Sequence, residues 1–316
     1  MMMPSFDAVN YSLRPSKSIQ RQIIFEGVRL LQGKLNLRRL AYIGFGSIWF
    51  TDFVMAHKLL GVNDMVSIES HPVGFRRARF NAPFKTVTVL NGLSSAVLPT
   101  LYVDESYGGR PWMVWLDYDY ELKESIKDDI RSIIENSPKN SILLVTFDGK
   151  GEKYDDLSHR PGLLRSILGS VVPDDLPVEA CEDGRIRDTL AELVLGFMGA
   201  VAADISRPGG FVPAFRAIYQ DGAPMVTVGG ILPAPAEVPA AKSVVNAPSW
   251  PCRPSKPIKA PHLTIREAAT LQSQLPCVGR LSREDVKALG FDLEDDQIEA
   301  FETYYRQYPA FAQIIA

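Results

Sequence analysis

Leu40-Ala-Tyr-Ile-Gly-Phe-Gly-Ser47 is a short apolar run that breaks into two glycines and a serine. Beyond it, Phe53, Ala56, Leu59 and Leu60 recur at helical spacing. The pattern predicts a strand, a tight turn and a helix. Glycines in such a turn let the backbone approach a bound group closely, and the first turn of the next helix offers free N–H donors.

The same unit recurs along the chain. Gly61 can close the first helix, and Met65-Val-Ser-Ile-Glu69 reads as a second strand ending in an acid. Thr86-Val-Thr-Val-Leu90, closed by Asn91-Gly92, is a third. Trp112-Met-Val-Trp-Leu116 is a fourth and runs into Asp117-Tyr118-Asp119. Leu122, Ile126, Ile130, Ile133 and Ile134 then fall on one helical face, before a fifth strand over 141–147 that ends at Asp148-Gly149. Short, nearly all-apolar strands alternating with helices indicate a parallel sheet covered on both faces. After a helix over 187–205, the runs 215–220 and 225–229 flank Asp221-Gly222 and predict an antiparallel hairpin. The expected class is α/β, a doubly wound and mostly parallel sheet with a terminal antiparallel hairpin, plus a small C-terminal helical module.

Four segments surround or interrupt that core. Residues 1–36 are expected to form an N-terminal helical arm, because Ile19, Ile23, Ile24, Val28 and Leu31 share a helical face. The α/β domain is expected over 37–232, with the polar stretch 150–186 as an insertion or lid. Eight prolines between 232 and 262 suggest a Pro-rich linker or wrapping arm over 233–262. Residues 263–316 read as a helical module, opened by the capping boxes Thr264 to Glu267 and Ser282 to Asp285.

Three polar features fall where parallel strands end, which is where open α/β sheets bind ligands. They are Gly44-Phe45-Gly46, the carboxylate of Glu69, which can accept from both hydroxyls of a ribose, and Asp117. With these features residues 36–232 resemble the class I S-adenosylmethionine-dependent methyltransferases. The resemblance implies that S-adenosylmethionine is the cofactor. It implies that Gly44 and Gly46, with Tyr42, Phe45 and Ser47 around them, hold its methionine part. Glu69 then corresponds to the ribose acid, Asn91-Gly92 to the turn on the adenine side, and Asp117 to the residue facing the methyl group. The chain departs from the family at Tyr42, where many members carry an acid. A dinucleotide is disfavoured, because Trp49 takes the third glycine position of GxGxxG.

The chemistry implied is methyl transfer to an oxygen or nitrogen nucleophile, in which the enzyme aligns the partners and can remove a proton. In a strand extension Asp117 and Asp119 point to one side and become the catalytic candidates, although Asp119 also suits a helix N-cap. Tyr11, Arg14 and Lys17, ahead of the first helix, and Tyr118 are the candidates for contacting the acceptor. Asp117-Tyr-Asp119 is not the Asn/Asp-Pro-Pro-Tyr signature of amino-methylating DNA enzymes, and Cys252 lies far from the fourth strand where a cytosine-C5 nucleophile is needed. His159 and His262 show no metal-ligand spacing, so no metal is expected. Two alternatives use the same features: a non-catalytic scaffold subunit docking through the C-terminal module, or a methyltransferase acting on nucleic acid.

Across 316 residues, 46% hydrophobic and 22% charged, the composition is that of a globular protein and excludes fibrous repeats. The net charge of −3 excludes a uniformly basic polyanion-coating protein. Residues 1–40 nevertheless hold seven cations against two acids, and 238–266 hold five cations and no acid, so an anionic acceptor stays open. Three dispersed cysteines give no disulfide framework. The first ten residues lack the order of a signal peptide and the longest apolar run, 193–203, is too short for a bilayer, so the expected address is cytoplasmic with no membrane partner. A protein partner or a second copy is expected at the C-terminal module.

Overall fold

A computed structural model describes residues 14–309. The elements in order are α1 (Pro15–Gln32), β1 (Ala41–Gly44), α2 (Thr51–Leu60), β2 (Asp64–Glu69), α3 (Pro72–Asn81), β3 (Val87–Asn91) and α4 (Ser94–Tyr102). They continue with β4 (Trp112–Glu121), α5 (Glu124–Asn136), β5 (Ser141–Asp148), α6 (Arg160–Leu168), α7 (Ile186–Asp204), β6 (Val212–Gln220) and β7 (Pro224–Leu232). The chain then forms α8 (Val238–Val245), α9 (Ile265–Ser273), α10 (Arg283–Ala288) and α11 (Asp295–Tyr304).

The seven strands run in the order β3-β2-β1-β4-β5-β7-β6. Strands β1 to β5 are mutually parallel, while β7 pairs antiparallel with both β5 and β6. Every residue of β1 and β5 is buried, as central strands covered on both faces require. Connections leave β1 toward β2 on one side, and β4 lies on the other, so a crevice opens at the carboxyl ends of β1 and β4.

Two core clusters cover the two faces of the sheet, one with α4, α5 and α7, the other with α1, α2 and α8. The apolar stripe of α1 is buried as its periodicity predicts, from Ile19 to Leu31. Its first turn lacks a side-chain cap of its own. Asp221, in the β6–β7 turn, supplies one from a distance: the Ser16 and Lys17 N–H groups donate to its two carboxylate oxygens, each at 2.8 Å.

Two segments contribute more to the core than their composition suggests. In the stretch 150–186, Tyr154, Leu164, Leu168, Val172 and Cys181 are buried in the same cluster as α5 and α7. One apolar residue every few positions enters the core there. Residues 233–262 run along the domain as an arm. They include α8, and then Trp250 and Cys252 pack on α1 and β6, with the Trp250 indole donating to the Ala214 carbonyl at 2.6 Å. Ile258 adds a short parallel bridge to β6 at Tyr219. This arm lies so close to α1 that a Cβ on Gly27 would overlap the Cys252 sulfur and meet the Trp250 ring at 3.0 Å. Gly27→Ala is therefore expected to cost about 1–3 kcal/mol of stability through overpacking. An unchanged urea midpoint would show that the arm is loosely held.

The C-terminal helices close a third cluster on the same helix, in which Leu271, Val286, Ile298 and Phe301 meet Ile19 and Ile23 of α1. No described helix is long and apolar enough to cross a membrane.

Candidate active site

The glycine turn after β1 is built by close packing. A Cβ on Gly44 would lie 2.8 Å from the Trp115 carbonyl of β4, and one on Gly46 would lie 2.5 Å from Ser67 Oγ and 2.6 Å from the Phe50 ring. The Gly46 N–H donates to Ser67 Oγ at 3.2 Å, tying the turn to β2. Ser47 and Phe50 both adopt left-handed backbone conformations, which folds the chain sharply into α2.

Glu69 ends β2 beside this turn. Its Oε1 accepts from the His71 N–H at 2.8 Å, and its carboxylate presses on Gly74, where a Cβ would come within 2.8 Å. The first turn of α3 thus orients the acid while leaving Oε2 for a ligand. Asn91 donates its side-chain N–H to the Glu69 carbonyl at 2.9 Å, and the Gly92 N–H donates to the same oxygen at 3.1 Å. Asn91 therefore fixes the β2 and β3 ends together. Next to it, Leu93 is 64% exposed, an apolar surface at the crevice wall.

Strand β4 continues through Asp117, Tyr118 and Asp119 with an irregular register against β5 between Asp117 and Glu121. Asp117 does not face the crevice alone. Lys17 Nζ lies 3.1 Å from its Oδ2 and Arg21 Nη2 lies 2.8 Å from the same oxygen. Arg21 also pairs with Asp52 of α2. Burial alone would raise the Asp117 carboxyl, yet the Lys17 and Arg21 charges outweigh it and hold the group below the ordinary carboxylate range. Asp119 is accessible to water, but the protein around it and the Asp117 charge raise its carboxyl.

Three cavities meet at Asp119. A cleft of about 240 Å³ is lined by Phe45, Glu69, Gly92, Leu93, Tyr118 and Asp119. A recess of about 50 Å³ lies between Gly46, Ser47, Thr51, Arg21 and the two acids Asp117 and Asp119. A chamber of about 440 Å³ opens on the other side of Asp119, toward Arg14, Lys17, Asp148, Tyr219 and His262.

Geometry gives Tyr42, Tyr118 and Lys17 surroundings that their sequence positions do not show. Tyr42 is in the core, 1% exposed, edge-on against Phe53, and does not line the crevice. Alternation along β1 turns it to the face opposite Ile43, toward α1 and α2. Tyr118 is buried with its hydroxyl donating to Asp129 Oδ2 at 2.5 Å; its ring edge holds Phe45, with centroids 5.1 Å apart, instead of reaching for an acceptor. Lys17 lines the open chamber together with Arg14, but it is buried and its ammonium is held in the ion pair with Asp117. Tyr11 lies outside the described residues.

Arg21, Asp52, Asp148 and Tyr219 were not anticipated. A signal for Arg21 existed: Lys17, Gln20, Arg21 and Ile24 stand at i, i+3, i+4 and i+7, so polar residues extend the buried stripe of α1. Gln20 Nε2 indeed donates to buried Thr227 Oγ1 at 3.0 Å. Asp155, Asp156 and His159 bring their ligand atoms within 4.8 Å of one another, and all three are exposed.

Residues 9–316 match a family described as "Putative O-methyltransferase". No curated protein matches the chain. Among solved structures, Trm1 from Pyrococcus horikoshii with S-adenosyl-L-methionine shares the fold at a TM-score of 0.50 and 12% identity, covering 76% of this chain and 61% of its own. The chain therefore spans less than two thirds of that protein. An O-methyltransferase from Bacillus cereus in complex with SAH is also similar, with TM-score 0.41, 15% identity and coverages of 72% and 84%.

Proposed function

The chain belongs to this O-methyltransferase family, and from that premise we propose that it moves the methyl group of S-adenosylmethionine onto a hydroxyl of a small polar acceptor. The observation that carries the reading is the position of Asp119, shared by the cleft beside Glu69, the recess beside the glycine turn and the chamber beyond.

The residues present fit that cofactor. Glu69 keeps one carboxylate oxygen for the ribose hydroxyls, and the exposed Leu93 side chain offers an apolar surface for a purine to cover. When bound, S-adenosylmethionine supplies an electrophilic methyl carbon. The rest of the work falls to this chain. Asp119 accepts the proton that the acceptor hydroxyl loses, and a raised carboxyl makes it a better base at that step. Asp117, neutralised by Lys17 and Arg21, keeps the wall behind Asp119 rigid. Asp148 and Tyr219 line the acceptor side.

The chamber favours a small acceptor over a nucleic acid. Asp119, Asp148 and Asp221 outnumber Arg14 and Lys17 there, a poor surface for a phosphate backbone. Lys34, Arg38 and Arg39 instead line a groove at the amino ends of the strands, the opposite pole from the crevice.

Calorimetric titration tests the cofactor half: S-adenosylmethionine and SAH bind, NAD does not, and absence of binding by both adenosyl compounds would sink the reading. Gly46→Ala is expected to weaken SAH at least tenfold, because the added Cβ displaces the turn from Ser67 and Phe50. An unchanged Kd would mean that the turn does not touch the cofactor.

A further inference from the structure

Two buried polar atoms beside the glycine turn lack partners, and they are chemically complementary. Arg21 is 5% exposed; its Nε binds Asp52 and its Nη2 lies 2.8 Å from Asp117 Oδ2. Its Nη1 is buried with no hydrogen-bond partner. Asp117 receives Lys17 and Arg21 on Oδ2, while Oδ1 is buried and unpartnered. Buried charged groups ordinarily fill their hydrogen-bonding capacity, so an orphan donor and an orphan acceptor in one ion network mark a place made for something else.

Both residues line the same recess of about 50 Å³, against Gly46, Ser47 and Thr51. A space of that size takes an α-carbon with two small substituents and little more. One substituent must accept from a guanidinium N–H and the other must donate to a carboxylate oxygen. Those are the carboxylate and the ammonium of an α-amino acid. Lys17, Arg21, Asp52 and Asp117 balance in charge, so a zwitterion enters without leaving a net charge behind. Arg21 is the one cation among the recess-lining residues, which also include Asp52, Glu69, Asp117 and Asp119. An anionic substituent therefore has a single place to go.

Resting on the methyltransferase reading, we propose that Arg21 and Asp117 clasp the methionine end of the cofactor, with Arg21 Nη1 donating to its α-carboxylate and Asp117 Oδ1 accepting from its α-ammonium. Helix α1 is then a wall of the cofactor site. The clasp also sets specificity, since a decarboxylated cofactor leaves Arg21 Nη1 buried and unsatisfied beside four acids.

The test is titration calorimetry of the full chain with SAH, with its decarboxylated analogue S-adenosyl-3-thiopropylamine, and with the deaminated analogue. Loss of either group is expected to weaken Kd at least 30-fold. In Arg21→Met, SAH is expected to bind no better than the decarboxylated analogue, while that analogue keeps its wild-type affinity. The wild-type comparison decides the matter even where the variant fails to fold. A decarboxylated analogue binding within threefold of SAH would overturn the clasp and leave the methyltransferase reading intact. Failure of SAH itself to bind would overturn both.

Discussion

Asp117→Ala is expected to destabilise the fold by about 3–5 kcal/mol, because it leaves Lys17 and Arg21 buried around a missing counter-charge. Lys17 and Arg21 expose only 5% and 6% of their side chains, so water cannot take over the role of the carboxylate. Arg21 retains Asp52, while Lys17 loses its 3.1 Å pairing with the Asp117 carboxylate. The measurement is the free energy of unfolding in urea, and a loss under about 1 kcal/mol, the size expected of a surface pair, would refute a desolvated network. The pH dependence has a definite sign. Asp117 is held below the ordinary carboxylate range, so its contribution is complete above that range and is lost progressively as pH falls below it, through the depressed folded-state value. The gap between wild type and variant should therefore close in acid.

Asp119→Asn is expected to lower kcat by about 10²–10⁴, the usual weight of a positioned general base. The side chain is water-accessible, so folding should be preserved and SAH affinity unchanged. Burial by the surrounding protein and the Asp117 charge raise the Asp119 carboxyl, and a base works in its ionised form. The wild-type rate should accordingly rise with pH along an acidic limb displaced upward from that of an ordinary aspartate, and the Asn variant should lack that limb. A loss below tenfold with the limb intact would remove Asp119 from the proton transfer.

Much of the frame was readable from residue patterns. The apolar runs ending at Gly44, Glu69, Asn91, Asp117 and Asp148 predicted five parallel strands, and the turn residues Asp221-Gly222 predicted the hairpin that closes the sheet. Those signals are local, since period and punctuation sit within a dozen residues. The positions of Glu69, Gly92 and Asp119 on one crevice were readable too, because parallel strands all end on the same edge.

Polarity alone is a weak guide to position in this chain. The sequence offers Lys17 with Arg14 to the acceptor; the start of α1 carries both to the wall of the chamber and ties the Lys17 ammonium to Asp117. Proline density at 233–262 suits either a linker or a wrapping arm, since prolines need no N–H donors of their own, and the packing of Trp250 and Cys252 on α1 and β6 makes it an arm. Residues 150–186, rich in Asp, Pro and Gly, read as an insertion or lid; their apolar residues, few and widely spaced, go inside.

The sequence by itself determined the layered α/β sheet, the glycine turn and the acids at the strand ends, since each follows from neighbouring residues along one element. Only the tertiary structure decided which acid is bound up in ion pairs. Lys17 and Arg21 reach Asp117 across 100 and 96 positions of chain, and they leave Asp119 facing the open chamber. Charge pairing of that kind depends on distances in space, which no spacing along the chain encodes.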